Sequence, residues 1–72
     1  MSNEPQLLDV VALTEDVPAE GLRRGQVGTI VEVHSPTDFE VEFSDDDGKT
    51  YALVPVRSSQ LLVLRYRPVK AA

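Results

Sequence analysis

Apolar and polar residues alternate along several short runs of this chain, which is the pattern of β-strands with one buried face. The clearest run is residues 38–43, where phenylalanine or valine occupies every second position and glutamate lies between them. Successive side chains of a strand point to opposite faces, so Phe39, Val41 and Phe43 are predicted to face the core. A helical period would not place these three residues on one face.

Four further runs predict strands, at residues 7–13, 25–34, 50–54 and 61–64. Turn-forming residues separate the runs, among them Asp47 and Gly48 in the hairpin after the clearest run. Pro55 is predicted to end the fourth strand, because proline cannot donate a hydrogen bond to a neighbouring strand. Residues 57–60 have the length and polarity of one 3₁₀ turn before the fifth strand.

The second run begins with two glycines three residues apart and continues with β-branched residues. A bend or bulge near Gly28 would let both Val27 and Ile30 contact the core. Leu22 is predicted to anchor the turn before this strand. The period of two then gives the predicted strand residues of the core: Val11, Leu13, Val31, Val33, Phe39, Val41, Phe43, Leu53 and Leu62.

Five strands, a long first loop and tight hairpins predict an all-β fold, a single small antiparallel SH3-like barrel. The alternative is an OB-type barrel, which usually has a helix between its third and fourth strands, where this chain has a short turn. The 72 residues fit one domain. We expect a flexible N-terminus at residues 1–6, the barrel at residues 7–64 and a basic tail at residues 65–72.

Charge and composition narrow the classes of function. Twelve acidic and seven basic residues give a net charge of −5, which disfavours nucleic acid as a partner because phosphates repel an acidic protein. The chain has no cysteine, so disulfides and thiolate metal sites are excluded. No apolar run reaches the roughly 20 residues of a membrane-spanning helix, and the N-terminus lacks the features of a signal peptide. We therefore expect a soluble, cytoplasmic protein.

Three candidate chemical sites are each better explained as ordinary surface. Asp45-Asp46-Asp47 lacks the ligand spacing of a calcium-binding loop. His34 has no cysteine to complete a zinc site, and its neighbour Ser35 lies in no nucleophile motif. Asp9 and Asp38 are not placed together by the sequence. We expect no catalytic residues, no metal and no cofactor, and a protein that is not an enzyme.

Several segments resemble known proteins. Residues 22–33 resemble a KOW-type motif, in which a glycine lies between apolar positions of a bent strand. Together with residues 8–16, 39–43 and 46–53, they are similar to the short bacterial family described as domain of unknown function 4926. The resemblance spans about residues 7–64. It implies an SH3-like barrel and a bacterial source, and it implies no activity.

The remaining candidates are residues suited to binding a partner. Arginine and tyrosine are common in binding hot spots, and the edges of a sheet can accept a partner strand. We expect a non-catalytic protein-interaction module: a partner, regulator or antitoxin-like neutraliser of another protein, such as one encoded nearby. The alternative is a KOW-like nucleic-acid-binding barrel. The predicted contact residues are Leu22, Arg23, Arg24, Arg65, Tyr66 and Arg67.

Overall fold

A computed structural model describes residues 4–64 and shows five β-strands and two 3₁₀ turns in them. The strands are β1 (Val10–Leu13), β2 (Val27–Ser35), β3 (Asp38–Ser44), β4 (Thr50–Arg57) and β5 (Leu61–Val63). A 3₁₀ turn at Ser58–Gln60 precedes β5, as predicted, and a second one at Pro18–Glu20 lies in the first loop. The predicted all-β class with five strands is confirmed. Residues 4–64 include no helix whose length and apolar character would suit a membrane crossing.

All five strands lie in one antiparallel sheet, in the order β4-β3-β2-β1-β5. β2, β3 and β4 are joined as consecutive hairpins, whereas β5 returns to pair with β1. The sheet is unclosed in the described residues, and β4 and β5 are its two edges. Because side chains alternate along a strand, each strand has an inner face toward the core and an outer face toward solvent.

A β-bulge in β2 decides which of its side chains enter the core. The register of β2 against β3 shifts after Ile30, so that Val31 is an extra residue. Ile30 is fully buried, whereas Val31 and Val33 are 39% and 45% exposed. The prediction that Val31 and Val33 belong to the core is wrong: Val31 is the bulged residue, and Val33 lies opposite Phe39 but remains exposed near the end of β2. The shift follows Gly28 rather than coinciding with it, and Val27, which was expected to contact the core, is exposed.

β4 continues through Pro55, so the prediction that this proline ends the strand is wrong. β4 is an edge strand that pairs with β3 alone, and an edge strand tolerates a residue without an N–H group. The inner face of β4 also differs from the prediction. Val54 and Val56 are buried, whereas Leu53 lies opposite Glu42 on the outer face and is 56% exposed.

The prediction that Leu62 belongs to the core is also wrong. Leu62 lies opposite Ala12 on the outer face and is 58% exposed, while Leu61 and Val63 pack against the core. The run from residue 61 to residue 64 is apolar throughout, so its sequence has no period that identifies the inward-facing residues. Pairing with β1 determines which residues of this run face the core.

The core lies on the inner side of the sheet. Leu22 is buried, which confirms the prediction that it anchors its turn, and Val17 packs against the same cluster. Backbone hydrogen bonds in both directions between Val17 and Leu22 close this part of the first loop. The buried hydrophobic residues among 4–64 are Val11, Leu13, Leu22, Ile30, Phe39, Val41, Phe43, Val54 and Val56.

Candidate protein-binding surface

The outer face of the sheet is apolar where β2, β1 and β5 lie side by side. Val27, Ala12 and Leu62 form one row across these three strands. In the next row, Leu64 donates its backbone N–H to the carbonyl oxygen of Val10, at a distance of 2.8 Å. We call these five residues the outer apolar patch.

The outer apolar patch is open to solvent. Val27 is 45% exposed and Leu62 is 58% exposed, and the other three residues are half-buried. The solvent-facing side of an antiparallel sheet ordinarily has polar side chains. Apolar residues that lie together on such a face are typical of a surface that binds another molecule. The patch is therefore the strongest candidate for a binding site in residues 4–64.

Acidic side chains cover the adjoining part of the outer face, on β2 and β3. Glu42 lies opposite Thr29, in the cross-strand row that continues to Val10 of the patch. Glu32 and Glu40 lie directly opposite each other on the same two strands. Like charges in such cross-strand positions repel each other. We call Glu32, Glu40 and Glu42 the acidic border of the patch.

His34 contacts two residues of the acidic border. Its Nε2 atom is 2.9 Å from Oε1 of Glu40, and its Nδ1 atom is 3.7 Å from Oε2 of Glu32. The hydrogen bond with Glu40 raises the pKa of the His34 imidazole; partial desolvation opposes this rise, and the charges of Glu32, Glu40 and Asp38 add to it. His34 is an exposed residue near the end of β2, as predicted.

The raised pKa of His34 predicts a pH-dependent contribution to stability. A group whose pKa is higher in the folded state stabilises the fold when protonated. That contribution is fully present below the ordinary pKa of 6.5 and is lost as the pH rises through the folded-state value. His34→Gln is therefore expected to lower the melting temperature more at about pH 5.5 than at about pH 8.5.

Thermal melting followed by circular dichroism at the two pH values measures this difference. The matched control is the same substitution in a Glu40→Gln background, which removes the carboxylate whose hydrogen bond is the largest cause of the pKa rise. In that background the difference between the two pH values should be smaller, because only the charges of Glu32 and Asp38 still raise the pKa of His34. An equal loss at both pH values in the parent protein would contradict the prediction.

Ser35 and Asp38 form a separate hydrogen-bond cluster at the turn between β2 and β3. Ser35 Oγ donates to Asp38 Oδ2 at 2.8 Å, and Thr37 Oγ1 donates to the same oxygen at 3.2 Å. These two hydrogen bonds, the one from Ser35 first, lower the pKa of the Asp38 carboxyl group. Ser35 thus bonds to Asp38 while His34 bonds to Glu40, and the two neighbours do not form a nucleophile–base pair.

The other acidic candidates hold backbone turns. Asp9 Oδ2 accepts a hydrogen bond of 2.9 Å from the backbone N–H of Gln6 just before β1. Asp45 Oδ1 accepts bonds of 2.9 Å from the backbone N–H groups of Asp47 and Lys49, which closes the predicted hairpin turn. Within residues 4–64, no group of three or more histidine or acidic side chains is placed to hold a metal ion.

The loop before β2 places Arg23 and Arg24 at the surface. The backbone N–H of Arg24 donates to Asp16 Oδ1 at 2.8 Å, and that of Arg23 donates to the side-chain oxygen of Gln26. Both arginines are exposed, whereas the Leu22 side chain is buried in the core. A shallow hollow beside this loop is lined by Asp16, Pro18, Gly21, Leu22 and Arg23.

Part of the predicted contact set lies close to residues of the patch in the sequence. Arg23 and Arg24 precede Val27 at the start of β2, where the patch begins. Arg65, Tyr66 and Arg67 follow directly after Leu64 in the sequence and lie outside the described residues, as do residues 1–3. The patch itself is missing from the sequence-based prediction. Its residues come from three strands, and only the pairing of those strands brings them together.

The fold and this surface define a class: a small all-β domain with one antiparallel sheet and an apolar patch on its outer face. A family model described as Domain of unknown function (DUF4926) matches residues 7–63, which is most of the chain. The protein belongs to this family, as its resemblance implied. No curated protein and no solved structure matches the chain.

Proposed function

We propose that the protein is a non-catalytic interaction module that binds another protein through the outer apolar patch. The observation that carries the proposal is the exposure of Val27 and Leu62 beside three further apolar residues. Full burial of one such side chain contributes about 1.5–3 kcal/mol, and because both are already about half covered, a partner that covers both gains roughly that amount in total. In this proposal the partner is a cytoplasmic protein, such as one encoded nearby, that is regulated or neutralised by binding.

The proposed fold is an SH3-like barrel. Three consecutive hairpin strands, a last strand that returns to pair with the first, and a 3₁₀ turn before that last strand all support it. The KOW-like character of the segment around Gly28 is part of the same proposal. Such a barrel offers a partner the apolar patch and the two open edges, β4 and β5.

Basic residues that precede Val27 and follow Leu64 in the sequence extend the proposed contact surface. Arg23 and Arg24 are exposed at the β2 end of the patch. Arginine combines an apolar stem with a charged end, which suits the margin of an interface. We include Arg65 and Arg67 in the proposed surface because both lie within three residues after Leu64 in the sequence. Tyr66 lies between them and belongs to the same group.

Leu62 and Leu53 form a matched pair of variants for testing the patch. Both are outer-face leucines of similar exposure, 58% and 56%, but they lie at opposite edges of the sheet. Leu62→Gln is expected to reduce capture of the partner from a lysate of the native host by about tenfold or more. Leu53→Gln should leave capture unchanged. Quantitative mass spectrometry of the captured proteins measures the difference.

Two further measurements complete the experiment. Both glutamine variants should melt close to the parent, because exposed side chains away from special contacts contribute little to stability. Replacing Arg23 and Arg24 together by glutamate should also leave the melting temperature nearly unchanged, while it weakens partner capture. Equal capture by the Leu62→Gln and Leu53→Gln variants would exclude the patch as the contact. Salt-sensitive saturation with mixed RNA and DNA oligonucleotides would favour the KOW-like nucleic-acid alternative instead.

A further inference from the structure

The acidic border indicates which kind of molecule covers the patch, and this inference rests on the proposed function. We propose that the occupant is a basic segment of another protein. Its apolar side chains cover the outer apolar patch, and its lysine or arginine side chains lie over Glu32, Glu40 and Glu42. Charge complementarity between such a segment and the acidic border supports this choice.

The geometry of the sheet allows one segment to reach both surfaces. Val10, Thr29 and Glu42 occupy successive strands of one cross-strand row. Neighbouring strands lie about 4.8 Å apart, so Glu42 is about 10 Å from Val10 across the sheet. A segment seated over β1 can extend a long basic side chain toward Glu42 while its apolar residues stay on the patch. Arg23 and Arg24 precede Val27 in the sequence, whereas Glu42 pairs with Thr29, two residues after Val27.

Among the described residues, the ion-pair partner of the acidic border is His34, which is charged only when protonated. No lysine or arginine in residues 4–64 forms an ion pair with any of the border's three carboxylates. Glu42 accepts a 2.8 Å hydrogen bond from Thr50 Oγ1, and Glu40 bonds to His34. Glu32 and Glu40 remain directly opposite each other. A cationic side chain from a partner would relieve this repulsion and also accelerate association.

Two other occupants of the patch are conceivable: a second copy of the chain and the chain's own residues 65–72. The first is less complementary in charge to the acidic border, and the experiment distinguishes the second. Two copies of the chain joined through this face would bring together two acidic borders on molecules that each carry a net charge of −5. Such a contact is opposed by charge repulsion. The chain's own residues 65–72 include Arg65, Arg67 and Lys70, so the experiment includes a variant that neutralises them.

Synthetic peptides of about ten residues, the upper length of an ordinary strand, are suitable probes. One peptide alternates lysine and valine, a second alternates lysine and serine, and a third alternates glutamate and valine. Isothermal titration calorimetry with the full-length protein at low salt compares them. The lysine–valine peptide is expected to bind at least about tenfold tighter than the other two, because it alone matches both the patch and the acidic border. Its affinity should fall as salt is added.

Variants of the full-length protein then locate the bound peptide. Leu62→Gln is expected to weaken binding of the lysine–valine peptide by about tenfold, whereas Leu53→Gln changes it by less than about twofold. Glu42→Gln should weaken it by about threefold and reduce its dependence on salt, because one charge interaction is removed. Both effects together assign the peptide to the patch and its border.

Four outcomes would overturn the inference. If the lysine–serine peptide bound as tightly as the lysine–valine peptide, nonspecific charge attraction would explain the binding of both. Binding about tenfold tighter to a full-length variant with Arg65, Arg67 and Lys70 changed to glutamine would assign the patch to the chain's own segment. A dimer in sedimentation experiments that Leu62→Gln dissociates would assign it to a second copy. Partner capture that depends on Leu62 but not on Glu42, without any peptide preference, would remove this inference and leave the proposed function standing.

Discussion

Replacing Phe43 with alanine is expected to lower the free energy of unfolding by about 3–5 kcal/mol, a large part of the stability of so short a chain. Phe43 is fully buried, opposite Gly28 on β2 and Ala52 on β4. Its ring centroid is 6.4 Å from that of Tyr51. Because its two cross-strand neighbours are the smallest residues, little side-chain volume is available to fill the space left by the ring. The cavity therefore remains and adds to the loss of stability.

Urea denaturation followed by circular dichroism measures this loss. Leu53→Ala is the control, because it truncates an apolar side chain on the neighbouring strand that is largely exposed. It should cost less than about 1 kcal/mol. A Phe43→Ala protein that still melts cooperatively near the melting temperature of the parent would show that this ring is not central to the core.

Gly28→Val is expected to destabilise the protein by about 3 kcal/mol or more, at or beyond the upper end of what overpacking ordinarily costs. A Cβ atom at Gly28 would lie 2.7 Å from Cγ1 of Val41 and 2.9 Å from Cδ1 of Phe43. It would also lie 2.8 Å from the backbone oxygen of Glu42, which cannot move away without disturbing the pairing of β2 with β3. The gain in β-propensity from valine, about 1 kcal/mol at most, does not offset these clashes.

The neighbouring residue provides the control for this substitution. Thr29→Val introduces a side chain of the same shape one position further along, on the outer face opposite Glu42. It should change stability little, since no close contact opposes it there. Gly28→Ala should lie between the parent and Gly28→Val in the free energy of unfolding. A Gly28→Val variant as stable as the parent would contradict the close approach of β2 and β3 at this residue.

These two changes act on the inner face of the sheet, whereas the proposed binding surface lies on the reverse of the same strands. Gly28 on β2 is next to Val27 of the patch, and Val11 on β1 is next to Ala12. Core substitutions should therefore abolish binding by unfolding the sheet. Leu62→Gln should weaken it without unfolding, because Leu62 is exposed. Comparison of the two kinds of variant separates a structural effect from a contact effect.

The arginines and the patch differ in how far the sequence revealed them. Arg23 and Arg24 lie in a turn that the sequence predicts, and charged turn residues are ordinarily exposed. Their place at the surface follows from local information. The patch combines Ala12 from β1, Val27 from β2 and Leu62 from β5, which are far apart in the chain. Their proximity depends on strand register, which local patterns do not contain.

The sequence by itself determined the all-β class, the number of strands, the hairpin at residues 44–49 and the core residues of β3. β3 alternates strictly, so Phe39, Val41 and Phe43 have only one face that can be buried. Local turn chemistry and the period of two are enough for these features, because both act between residues close in the chain. The same reasoning correctly identified Leu22 as an anchor of its turn.

Only the tertiary structure decided which apolar residues of β2, β4 and β5 lie inside. The bulge after Ile30 makes Val31 an extra residue that stays out of the core, and pairing with β1 directs Leu62 outward. In a run where consecutive residues are all apolar, either set of alternate residues could face the core. The buried one is selected by the partner strand, through hydrogen-bond register, and by the space that the core leaves. The outer apolar patch results from this choice of register, since its residues are apolar residues that face away from the core.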